Sequence, residues 1–86
     1  MPRTPGQVIT QMLDHIPASD EEFRGRLGCL RRKVGYVAPE AIGNCWDDLN
    51  SIVNSYIKFG ELEPEWKRNV VNILMDRPID APVMDE

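Results

Sequence analysis

Eighty-six residues are enough for one domain with a modest core, and an apolar fraction of 42 % is too high for a disordered chain. No apolar run approaches the roughly 18 residues that span a bilayer, and the N-terminus lacks the charged-then-apolar pattern of a signal peptide, so a cytoplasmic location without membrane partner is the default. The net charge of −4 argues against general nucleic-acid binding, but it is unevenly spread. Phe23 to Val37 holds five basic residues and no acidic one, while the rest of the chain is net −9.

The first predicted helix covers 5–16. Thr4, Pro5 and Gln7 form a T-x-x-Q capping box with proline at the first helical position. Val8, Ile9, Met12, Leu13 and Ile16 follow at helical spacing, and Pro17 stops the run. His15, the only histidine, falls at the C-terminal end, where the helix dipole accounts for it without catalysis.

The second helix covers 20–34. Ser19 and Glu22 read as another capping box, and Phe23, Leu27, Leu30 and Val34 form a narrow apolar stripe. Gly25 and Gly28 lie off that stripe, either as tolerated surface glycines or as points of close approach for another chain. Gly35 is the expected C-terminal cap. Asp20 with Arg24 and Glu22 with Arg26 are spaced as acid-to-base pairs one turn apart. Arg31, Arg32 and Lys33 remain in the last turn, where cations suit the dipole but also offer a surface for an acidic partner.

The third helix covers 39–59. Its apolar set, Ile42, Cys45, Trp46, Leu49, Ile52, Val53, Tyr56, Ile57 and Phe59, spans roughly 160° of the wheel, which points to the centre of the fold. The fourth covers 64–76, with Trp66, Val70, Ile73 and Leu74 inward. Val71 and Met75 project about 140° and 180° away from Trp66 and form an apolar face for a partner, unless Ile79 or Val83 of the tail covers them. The expectation is an all-α bundle of about four helices: a single domain over 1–78 and an extended or mobile acidic tail over 79–86.

No catalytic or metal constellation emerges. Two cysteines and one histidine, without C-x-x-C or H-x-x-x-H spacing, make no zinc site, and no phosphate-cradling glycine loop occurs. A cysteine nucleophile would be Cys29 or Cys45: Cys29, near Arg31, is a weak candidate, and Cys45 lies on an apolar arc beside Trp46 and reads as core. No cofactor is expected, and the chain reads as a non-enzymatic protein.

Two functions compete. The first is a small regulator or inhibitor that binds a larger protein through Arg31, Arg32, Lys33, Tyr36, Val71 and Met75, with homodimerisation as another use of the same residues. Size and style suggest a bacterial or phage origin. The second is a nucleic-acid-binding or transcriptional accessory factor using the basic second helix. The second and third helices have helix-turn-helix spacing, but the groove-reading end would carry Glu40, Asp47 and Asp48 and no base.

Overall fold

Thr4 and Gln7 close the start of the first helix reciprocally. The Gln7 amide donates to Thr4 Oγ1 at 3.1 Å, and the Thr4 amide donates to Gln7 Oε1 at 3.0 Å. The structure is a computed structural model that describes residues 3–58, 60–79 and 81. Among the described residues, four α-helices follow in chain order: α1 (Pro5–Leu13), α2 (Glu21–Val34), α3 (Ile42–Tyr56) and α4 (Glu65–Leu74). The bundle is all-α, with no strand among the described residues. Among the described residues, no helix is long and apolar enough to cross a membrane.

The helices are shorter than their apolar patterns. The third expected helix divides into a 3-10 turn at Pro39–Ala41 and α3, and Ile57 leaves α3 with φ −130° in extended backbone. Phe59 lies outside the described residues. The Ser19–Glu22 capping box does not form: Asp20 takes the capping position, and its side chain makes no cap bond. Gly35 follows α2 at φ −70°, so it does not use the left-handed conformation open to glycine.

The centre belongs to α1 rather than to α3. Val8, Ile9 and Met12 are fully buried, and α1 packs on all three other helices. The broad arc of α3 is divided instead. Cys45, Leu49 and Val53 are buried, whereas Ile42, Trp46, Ile52 and Tyr56 sit half-buried at its edges. Phe23 of α2 ties the remaining helices together, stacked on Tyr56 at 4.8 Å between ring centroids and tilted against Trp66 at 6.2 Å.

Two arginines close helix ends. Arg24 donates to the carbonyl oxygens of Leu13 at 2.8 Å and Ile16 at 2.6 Å, satisfying acceptors left open where α1 stops. It therefore does not form the pair with Asp20 that its spacing allowed. Arg3 donates to the carbonyls of Ile73 and Leu74 at the end of α4 and pairs with Asp76 at 3.6 Å. Asp76 has φ 58°, and two backbone bonds, Asp76 to Ile73 and Arg77 to Asn72, complete a Schellman ending.

The last turn of α4 is buried on more than one side, since Val70, Val71, Asn72 and Ile73 are consecutive buried residues. Val71, expected to face outward, is 4 % exposed. A helix resting on one neighbour cannot bury four residues in a row. Here α1 covers one side, and the chain after Asp76 returns over another. Asn72 Nδ2 donates to the carbonyls of Ile79 at 3.1 Å and Ala81 at 2.8 Å. The described part of the expected tail is thus fixed to α4.

A candidate docking groove between helices 2 and 3

The side chains of α2 divide by direction. Phe23, Leu27 and Leu30 face the core, and Arg31 turns towards α1, its Nη1 reaching Thr10 Oγ1 at 3.4 Å. With Phe23 at zero on the wheel, Gly25, Cys29, Glu22, Lys33 and Arg26 follow between about 200° and 300°. This sector contains no bulky apolar residue, and two of its five members are small.

That sector borders α3 and leaves an open groove of about 590 Å³. Gly25, Cys29 and Leu30 line it from α2, and Ser51 and Ile52 line it from α3. A Cβ placed on Gly25 would meet nothing within 4 Å, so the space above it is open. The lining is predominantly carbon, from Leu30, Ile52 and the stems of the longer side chains.

Charge is confined to the rim. Lys33 Nζ lies 3.4 Å from Asp48 Oδ2 across one end, and Arg26 Nη2 lies 3.7 Å from Glu22 Oε2 near the other. Both pairs are solvent-accessible, so each contributes under about 1 kcal/mol and is exchangeable for a partner's charge. The Arg26 guanidinium also lies 5.9 Å from the centroid of the Tyr56 ring. The Tyr56 phenol titrates above its ordinary value of 10.0, through desolvation first and the Glu22 carboxylate second, with Arg26 opposing.

The basic triplet does not act as one patch. Arg31 faces α1, Lys33 faces α3, and Arg32 points between them with Nη2 at 3.3 Å from Cys29 Sγ. Tyr36 is 78 % exposed just beyond them, as the sequence led one to expect. Met75 is half exposed, but with Val71 in the core it has no apolar neighbour from that pair and the proposed face on α4 reduces to one side chain. Arg31, Arg32, Lys33 and Tyr36 thus lie at one end of α2, and Met75 stands at the C-terminal cap of α4.

His15 and Cys29 remain where catalysis was sought. His15 Nδ1 stands 3.5 Å from the side-chain amide of Asn69, and Cys29 is exposed while Cys45 is buried. Among the described residues, no three histidine, cysteine or carboxylate side chains gather as metal ligands. Sequence reasoning missed Ser51, Ile52 and Asp48 as groove residues. The available signal was the sector of α2 without bulky apolar residues, but only the fold shows that α3 borders it. Compared with known protein families, curated proteins and solved structures, the chain matches none of them.

Proposed function

We propose that this chain is a small non-enzymatic regulator that works by protein association. The groove between α2 and α3 seats a helix, and the basic end of α2, with Arg31, Arg32 and Tyr36, is turned towards a larger protein. The observation that carries this reading is the open, carbon-lined groove over Gly25, with mixed charge only at its rim. An amphipathic helix laid in such a groove buries an apolar stripe while its flanking charges exchange with Glu22, Arg26, Lys33 and Asp48. Exposed arginine and tyrosine at the adjoining end are residue types suited to an interface.

In a Cys29→Ser, Ser55→Cys chain, Cys45 is fully buried and position 55 is exposed one turn beyond Ser51, so a thiol-directed photocrosslinker attaches beside the groove and leaves its floor open. Irradiation in extract of the source cell is expected to yield polypeptide adducts, and Gly25→Trp is expected to remove them by filling the groove. No polypeptide adduct, or the same adducts from Gly25→Trp, would contradict the reading.

A further inference from the structure

The face that α2 presents to the groove has a two-fold pattern. Its lining residues are Glu22, Gly25, Arg26, Cys29, Leu30 and Lys33. About a point between Leu27 and Gly28 they pair as Glu22 with Lys33, Gly25 with Leu30 and Arg26 with Cys29. Any helical face of this length is symmetric in position, but here the chemistry is complementary as well. A second α2 running antiparallel sets acid against base at both ends, and a small residue against a larger one at each inner position.

We infer that the helix seated in the groove is α2 of a second copy of this chain, related by a two-fold axis near its midpoint. This rests on reading the groove as a protein-docking surface, and it names the occupant. An isologous contact uses each complementary pair twice, so Glu22 meets the partner's Lys33 and Lys33 meets the partner's Glu22.

Charge favours this occupant over an arbitrary acidic or basic helix. The chain carries −4 overall, whereas the rim holds two acids and two bases. This face is neutral, so a second copy approaches here without the repulsion its remaining surface would impose. Gly25 and Cys29 lie one turn apart and permit close approach of the axes, at about 8 Å. Ile52 and Ser51 of α3 then flank the crossing. A chain of this size has a modest core, and association extends it.

The arrangement also brings Cys29 diagonally near its own copy. For axes about 8 Å apart, helix geometry brings the two Cys29 Cα atoms to about 6 Å. That separation lies inside the range of about 4.4–6.8 Å that a disulfide spans. The dimer leaves the ends bearing Arg31, Arg32 and Tyr36 outside the crossing.

Sedimentation equilibrium of the full chain, reduced, tests the pairing. Wild type is expected to be a dimer, with E22K and K33E each weakening it about tenfold, since each reversal sets like charges together twice. The double variant E22K/K33E restores opposed charges and is expected to recover the wild-type dissociation constant. Helical circular dichroism of each variant separates loss of association from loss of fold. Mild oxidation with diamide, which takes up the two thiol hydrogens as the S–S bond forms, is expected to link two copies through Cys29 and to fail in Cys29→Ser.

A double variant no tighter than the single ones would overturn the inference. So would a wild type that stays monomeric, and if the probe at position 55 still photocrosslinks to a different polypeptide in that case, the docking reading stands without the dimer. A wild type that is monomeric and yields no adduct removes both.

Discussion

Glu22 and Lys33 stand eleven residues apart on one face of α2, three turns of helix with opposite charge at the two ends of a single groove. Each has a partner within its own chain, Arg26 for Glu22 and Asp48 for Lys33, in accessible pairs at 3.7 Å and 3.4 Å. Such pairs hold the rim loosely enough for a docking helix to take their place. Between them the floor is kept low by Gly25 and Cys29.

The glycines of α2 cost stability, and of the two only Gly25 lines the groove. Each lowers helix stability by up to about 1 kcal/mol relative to alanine, and a Cβ at either position meets nothing within 4 Å. Gly28→Ala is expected to raise the unfolding midpoint by a few degrees, roughly 4–8 °C per kcal/mol for a domain of this size. Gly28 does not line the groove, so its substitution is expected to leave association unchanged. Calorimetry and sedimentation on the same samples check both points.

Arg24 carries more of the fold than its neighbours in the basic segment. Arg24→Met leaves the carbonyls of Leu13 and Ile16 without their charged donor, and is expected to cost about 1.5–3 kcal/mol. Arg32→Ala removes an exposed side chain whose recorded contact is to Cys29 Sγ, and is expected to stay within about 0.5 kcal/mol. Urea unfolding with unchanged slope separates the two. Equal effects would show that the cap on α1 contributes little.

Asn72 fixes the returning chain. Its amide group is buried, donates to Ile79 and Ala81, and leaves Oδ1 without a partner among the described residues. Asn72→Ala is expected to destabilise by about 1–3 kcal/mol, because two carbonyls lose their donor. The Ala81 amide, which donates to Pro78, is expected to exchange faster with solvent. Hydrogen exchange followed by mass spectrometry reads this directly, and unchanged exchange at Ala81 would mean that other contacts hold the segment.

Much of this was readable beforehand, and the failures share one cause. Thr4, Pro5 and Gln7 specify the start of α1 through contacts within a single turn, so the sequence predicts them correctly. Ser19 and Glu22 have the same spacing, yet Asp20 takes the cap. Arg24 has the spacing of a partner for Asp20 but reaches across to the end of α1. Val71 has an outward wheel position, yet it is buried among four consecutive buried residues at the end of α4. A helical wheel ranks directions around one helix and carries no information on which neighbour occupies each direction. The groove was half-visible for that reason: Gly25 and Cys29 stood out on α2, whereas Ser51 and Ile52 appear only when α3 is laid beside it.

Tyr56 gives the bundle an alkaline limit. Its phenol titrates above the ordinary 10.0 because burial and the Glu22 carboxylate disfavour the charged form. The folded chain therefore holds this proton at pH values where the unfolded chain has released it, so the contribution of Tyr56 to stability is fully present below about pH 10 and is lost as pH rises through the folded value. In a Tyr36→Phe background, tyrosinate absorbance is expected to rise with a midpoint above 10.0. Tyr56→Phe is expected to flatten the alkaline fall in unfolding midpoint. A midpoint at or below 10.0 would contradict the assignment.

The central claim is that the groove over Gly25 is a seat for a helix. Gly25→Trp tests it most directly, since the side chain enters open space and replaces a poor helix former. This variant is expected to keep the wild-type helical circular dichroism, yet to sediment as a monomer at concentrations where wild type is a dimer. A Gly25→Trp chain that associates as tightly as wild type would contradict it.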